Sequence, residues 1–395
     1  MRIGYLFRGF LADVKLGSDL SEVSTPDGNA TYSWSIEHEC ERRGYKLIPL
    51  GTNLDAPAAS TMGEDIFAAF SQRKRLLSYE RMLARGWSKL SERRFPELDL
   101  VLIEWRWPIP GRDTPEDRGK AWYQNDLERQ QAVLNYYLGR VPVVVWDLDH
   151  KLTLEDECYL EHWGVRVIET AVRPVRGLLP RFRVEPPFVT ADLLQHDIDD
   201  HRPVYHLGYI GSRYERDGTI DEWIRPITPL GTHRAKFWGK WEPAGEVRQR
   251  WPGIKFEGRI GVRGFRDAYS RVAAVPLLAK ESYYRCGFIT PRPWEALLFG
   301  SVPVGLSCHH GVTRYAPYVA DSPEELLEHA RSLRNVSPIR RRVIREEAVH
   351  MLSHMDVRNF VDALEGLVGD AVVGETDPQA TAGDTDTRQG NDVKG

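Results

Sequence analysis

Arg292 and Glu295 stand three residues apart at the head of a proline-led apolar run, within Y-R-C-G-F-I-T-P-R-P-W-E-A-L-L-F-G-S-V-P-V-G from Tyr284 to Gly305. Pro293 suits a first helical turn, where its missing N–H costs nothing. Ala296 to Phe299 give an apolar face, Gly300 fits a left-handed cap, and Val302-Pro303-Val304 restarts a strand. A guanidinium at a helix start attracts phosphate, and the carboxylate can accept hydrogen bonds from a ribose diol. The plain alternative is an α/β crossover with a surface Arg and Glu. Upstream, Gly208-Tyr209-Ile210-Gly211-Ser212-Arg213 reads as a strand ending in a glycine turn. There backbone can approach a pyrophosphate that Arg213 or Arg216 would pair with. Tyr284 and Arg285 follow a buried strand, at the end where open sheets bind ligands. Trp146-Asp147-Leu148-Asp149-His150 ends another strand, so Asp147, Asp149 or His150 can take a proton from a hydroxyl. Asp13, after the first strand, is a further candidate base. The structural counter-reading makes Asp147 a strand-end cap for the next helix.

These groups need a scaffold, and the hydrophobic pattern supplies one. Arg2–Phe7, Tyr45–Leu50, Leu98–Trp105, Val141–Trp146 and Val165–Ile168 read as strands, with helices at 33–43, 65–87 and 125–138 between them. Alternating strands and helices predict a doubly wound parallel sheet. The pattern breaks in the polar stretch 188–203 and restarts with strands at 206–210, 235–239, 254–258 and 273–278. Helices follow at 221–227 and 264–271. Ser322-Pro323-Glu324-Glu325 is a capping box opening a helix to Arg334; Ser337-Pro338 opens a basic one to His354; Asp356 caps a last one to Leu367. Domains of 1–187 and 204–336 are expected, with helices 337–368 packing back on the first and an acidic disordered tail over 369–395. Trp238 and Trp241 read as core before base-stacking groups, His38 as structural, His309-His310 as loop, and Arg340–Arg342 as a solvated helix face.

Composition bounds the class. At 395 residues the chain exceeds one ordinary core, and 42% hydrophobic with 28% charged residues is globular. No apolar run reaches the ~20 residues that cross a membrane, so membrane insertion is not expected. The start, M-R-I-G-Y-L-F-R-G-F, is too short and too charged for a signal peptide. Cys40, Cys158, Cys286 and Cys308 form no C-x-x-C pair, which argues for reduced thiols in cytoplasm and against structural zinc. Of the formal charge of −4, the tail's acids account for all, so the body is near neutral and local basic surfaces remain possible.

The segment carrying Arg292, Glu295, Ala296, Leu297, Gly300, Pro303 and Val304 resembles the donor-site motif R-x-x-E-A-L-x-x-G-x-x-P-V of GT-B glycosyltransferases, in the form found in CgeB-like and group-1 families. The resemblance implies two Rossmann-like domains facing across a cleft. It implies sugar transfer from a nucleotide-diphosphate donor to a hydroxyl, with Glu295 on the ribose. It further implies a donor set of Gly211, Ser212, Arg213, Arg216, Tyr284, Arg285, Arg292 and Glu295. Arginines would neutralise the leaving diphosphate in place of a metal, so no obligatory cofactor or metal is expected. The common retaining families place a second Glu where this chain has Gly287, so the stereochemical outcome stays open. The stretch 24–36 resembles phage-encoded glycosyltransferases. A hydroxymethylated base of phage DNA is therefore one acceptor, and a glycan or small molecule the other; Trp105, Trp107 and Trp122 can stack on either. Two rivals remain. Asp147 and Asp149 also resemble the D-x-D opening of a Mg²⁺-dependent haloacid-dehalogenase phosphatase or a GT-A metal clamp, although Lys151 departs from the former. A non-catalytic nucleotide-sugar-binding protein would bind donor without turnover.

Overall fold

A computed structural model of the chain describes residues 1–6, 29–50, 95–105, 130, 133–148, 151–173, 177–188, 202–232, 234–260 and 263–373. Asp13, Asp149 and His150 lie outside them, as do Trp107, Trp122, the stretch 65–87 and the tail from 374.

The first sheet is built from β1 (Arg2–Leu6), β2 (Lys46–Pro49), β3 (Leu100–Glu104), β4 (Val143–Trp146), β5 (Val165–Glu169) and β6 (Arg181–Arg183), with α1 (Asn29–Arg42) and α2 (Leu154–Tyr159) between strands. Its order is β2-β1-β3-β4-β5-β6, every pair parallel. The wholly buried V-V-V-W of β4 is what a strand covered on both faces must be. Leu100 and Leu102 of β3 join one cluster while Val101 and Ile103 join another, so alternation sends successive side chains into two separate cores. Thr153 caps α2, exchanging hydrogen bonds with Asp156.

The second sheet takes β7 (Tyr205–Ile210), β8 (Ala235–Trp238), β9 (Ile254–Glu257), β10 (Val272–Pro276), β11 (Val302–Leu306) and β12 (Tyr318–Ala320). Its order, β12-β11-β10-β7-β8-β9, is again all parallel. Its helices are α3 (Ala244–Arg250), α4 (Arg263–Ser270), α5 (Glu281–Cys286), α6 (Arg292–Leu298) and α7 (Pro323–Asn335), followed by α8 (Pro338–Met351) and α9 (Val357–Val373). In each sheet the first strand lies inside, so the winding reverses between β1 and β3 and between β7 and β10. Those two crevices, at the strands' carboxyl ends, are where open α/β sheets bind ligands.

The segments after β5 and β10 meet. Val172 and Arg173 donate backbone hydrogen bonds to Gly287 and Cys286 at 3.4 and 2.9 Å. The carboxyl edges of the two sheets therefore face each other. Phe188 and Val357 exchange backbone contacts, so the outgoing and returning connections run side by side. Beyond that crossing α9 lies on α1, where Arg43 pairs with Glu39, Asp362 and Glu365.

Several elements differ from the sequence reading. Lys280–Arg285, read from the sequence only as the segment after a buried strand, is largely α5, which ends at Gly287 with φ 71°. α3 and β6 carried no pattern strong enough to notice. α9 runs through Val373, so 369–373 is helix where a tail was expected. Ser322 does cap α7, but Glu325 reaches back to the N–H of Asp321, so the reciprocal box does not close. Arg341, expected on a solvated face, is 7% exposed because α8 packs against α6.

Candidate functional site

Arg292 opens α6, a helix of only seven residues. So short a helix has little dipole to offer, and the side chains must carry any recognition. The Nε of Arg292 donates to the carbonyl of Ile210 at 2.7 Å, fixing the guanidinium at the carboxyl end of β7. Nη1 lies 3.7 Å from Oε2 of Glu295, and the Tyr209 ring lies 6.0 Å away. Glu295, one helical turn on, is 5% exposed, and the Tyr269 hydroxyl donates to it at 3.3 Å. Burial raises the Glu295 pKa above its ordinary 4.5, opposed by Arg292 and Tyr269. Burial also works against the Arg292 charge, but Glu295, Tyr209, Tyr269 and Tyr32 more than offset it, and its pKa is raised.

Tyr32 belongs to the first domain, so Arg292 sits where the domains meet. The Tyr32 ring packs 5.6 Å from both Trp146 and Phe188, and Phe188 stacks on Trp294 at 5.3 Å. An aromatic wall from the first domain thus backs α6. Neither Tyr32 nor Tyr269 was singled out from sequence. Their partners lie far away in the chain, and no local pattern announces them.

Arg216 occupies the same crevice. It is 7% exposed, donates to the carbonyls of Ser212 and Tyr214 at 3.0 and 2.9 Å, and has no carboxylate partner among the described residues. Gly211 holds the end of β7 to β8 through Trp238, and the Cβ missing from Gly239 leaves room for the Gly211 carbonyl. Ser212 faces a cavity of about 560 Å³ with Arg213, Asp217 and Lys240. Another of about 560 Å³ opens at the ends of β8 and β9, lined by Gly239, Lys240, Trp241, Glu257, Gly258 and Arg259.

Other expected site residues are placed differently. Arg213 is bound into an acidic network, with Nε donating to Asp217 at 2.8 Å and the guanidinium also meeting Glu246. Those hydrogen bonds raise its pKa. Tyr284 is 6% exposed; its hydroxyl accepts from Ala279 N–H at 2.9 Å and its ring meets His309 edge-on, so it is packing. Arg285 is three-quarters exposed, 3.6 Å from Glu281. Asp147 is 2% exposed, and its Oδ1 accepts from the N–H groups of Lys151 and Leu152 at 2.8 and 3.2 Å. Those bonds tie Asp147 to the segment entering α2, whose own N-cap is Thr153, and an oxygen so engaged is poorly offered to a phosphate or an acceptor. Trp238 and Trp241 are core. Glu104, which sequence reasoning passed over, ends β3 at the first sheet's crevice, 3% exposed.

The structure also accounts for Gly287. A Cβ there would stand 2.7 Å from the His310 carbonyl and 2.9 Å from Val172, at a backbone angle that side chains rarely adopt. The position is filled by the domain junction, so no glutamate fits.

No protein-family model matches the chain, and no curated protein matches it in sequence. Solved structures are. T4 phage β-glucosyltransferase shares 13% identity over 95% of this chain and 99% of that one, with a TM-score of 0.50. The T4 phage BGT in complex with UDP and Mn²⁺ gives 14% identity, the same coverage and a TM-score of 0.50. An α-glucosyltransferase in complex with UDP and a 13-mer DNA containing an HMU base gives 10% identity, 93% and 99% coverage and a TM-score of 0.53. At such identities the likeness is one of fold. The architecture is GT-B: two Rossmann-like doubly wound domains facing across a cleft.

Proposed function

We propose that the chain is a glycosyltransferase that moves a sugar from a nucleotide diphosphate to a hydroxyl. The observation carrying this reading is the Arg292–Glu295 pair, fixed at the crevice between β7 and β10 of a GT-B fold. Arg216 and Arg292 would neutralise the diphosphate as charge develops on it, while Glu295 accepts from the ribose. The solved neighbours hold UDP, which favours a UDP-sugar as donor. One neighbour binds DNA carrying an HMU base, which favours a hydroxymethylated base in DNA as acceptor over a glycan or small molecule. The transfer is proposed to be metal-independent, because Arg216 and Arg292, both at the crevice between β7 and β10, would supply the charge that a metal otherwise brings. The T4 neighbour solved with Mn²⁺ makes this worth testing directly.

The acceptor's proton would pass to a carboxylate or imidazole of the first domain. Asp13 follows β1 in the sequence, and Glu104 ends β3 at that sheet's crevice. Asp149 and His150 follow β4, and Asp147 remains with them as an expectation weakened by the backbone hydrogen bonds it accepts from Lys151 and Leu152. The phosphatase reading falls behind for the same reason: its nucleophile would be Asp147.

Thermal shift against UDP-glucose, other nucleotide sugars and Mg²⁺ decides the donor. Stabilisation by UDP-sugar in excess EDTA, lost in Glu295→Ala, supports the reading; stabilisation by Mg²⁺ with phosphate-ester turnover and no nucleotide response overturns it. Labelled sugar transfer to hydroxymethylated DNA, compared with unmodified DNA and oligosaccharides, identifies the acceptor. Asp13→Asn, Glu104→Gln, Asp149→Asn and His150→Ala then single out the base as the variant that binds donor but does not transfer.

A further inference from the structure

The amino ends of β7 and β8, on the edge of the second sheet away from the cleft, gather four arginines around one histidine. Arg202 and Arg331 are exposed; Arg234, Arg334 and His206 are half-buried. Neutral acceptors position three of the guanidiniums. Arg334 Nε donates to the Pro203 carbonyl at 3.0 Å, Arg234 Nη1 to the Ile227 carbonyl at 3.2 Å, and Arg202 to the Asn335 side-chain oxygen. The backbone ties them together, because Arg234 O accepts from the N–H of both His206 and Leu207. Among the described residues none of the four arginines has a carboxylate within ion-pair distance, in a chain whose formal charge is −4. Burial, then Arg334, Arg234, Arg331 and Arg202, push the His206 pKa down to about 4.

We propose that this edge is a second anion site, which takes the backbone phosphates of a nucleic acid independently of the cleft. Like charges held together without counter-charge repel one another, and phosphate oxygens relieve that repulsion. Arginine suits phosphate by its planar fork of donors, and here three forks are already oriented, so little rotamer freedom is lost on binding. β7 spans six residues, about 20 Å, so the site lies a strand's length from Arg292. A duplex held here is gripped through its phosphates, without sequence preference. The choice of nucleic acid among polyanions rests on the acceptor proposed above; the existence of the anion site does not. An anionic membrane is the rival partner, since Val204 is exposed within the cluster. Two exposed aliphatic side chains, Val204 and Leu230, with no exposed aromatic beside them among the described residues, give a bilayer little to bury.

The test uses the full chain and a short unmodified DNA duplex. The His206 pKa, followed by NMR, is expected to rise from about 4 on duplex binding. The double variant Arg202→Gln/Arg331→Gln is expected to bind about tenfold more weakly at low salt, with the slope of log affinity against log salt reduced by about 2. A His206 titration that the duplex leaves unmoved, or an unchanged slope, overturns the proposal. So does a response to pyrophosphate or to phosphatidylserine vesicles but not to duplex. Because His206 reports only its own edge, loss of sugar transfer and loss of this site are distinguishable.

Discussion

A carboxylate at 5% exposure beside a guanidinium is costly unless something uses it. If Glu295 accepts from a ribose, Glu295→Ala removes a charge-assisted hydrogen bond worth about 2 kcal/mol, and UDP affinity should fall roughly thirtyfold by calorimetry. The pH dependence has a definite sign. The folded pKa is raised above 4.5, so stability present at low pH is lost as pH rises from about 4.5 through the folded value. Donor binding needs the ionised form and should move the other way, weakening as pH falls through that raised pKa. Glu295→Gln should flatten both profiles. His309 is 2% exposed, and burial pushes its pKa down to about 4 from 6.5. The unfolded chain therefore takes its proton first, and stability should fall between pH 6.5 and 4. Denaturant midpoints across that range should lose part of this slope in His309→Gln.

At the scale of elements, Gly287 is the most constrained junction. It ends α5 in the left-handed region, accepts from Val172, and leaves a Cβ only 2.7 Å from the His310 carbonyl. Gly287→Ala is expected to cost about 2–4 kcal/mol, from the backbone conformation and the forced separation of Val172 together. A melting curve with an earlier or split transition would show it. The elements themselves were mostly legible in the chain. β4, β10 and β11 are short apolar runs bounded by turn residues, and a parallel strand covered on both faces must look so. α5 was not, because Glu281–Cys286 mixes charged and aromatic residues in fewer than two turns, where periodicity has nothing to repeat. The Arg292–Glu295 pair was legible because its spacing is local to one helix. Its partners Tyr269, Ile210 and Tyr32 were not, because they come from another helix, a strand and the other domain. The true company of Arg213 escaped for the same reason: Glu246 lies on α3, which the sequence hid.

On the scale of the whole molecule, α9 is a structural part of the first domain although it follows the second. Arg43 joins Glu39, which is fully buried, to Asp362 and Glu365 across that seam. Arg43→Ala should destabilise by about 3 kcal/mol, since among the described residues Glu39 then keeps only Arg42. Chemical denaturation should report that loss in the first domain ahead of the second. Truncation before Val357 would uncover Trp146, which rests 5.1 Å from Phe360, and should yield an aggregating product. The paired connections at Phe188 and Met355–Val357 carry a consequence for biogenesis. The half of the chain that emerges first from the ribosome waits, unfinished and with an apolar flank bare, until the final helix has been synthesised. The later-made half, continuous in sequence, can complete itself sooner.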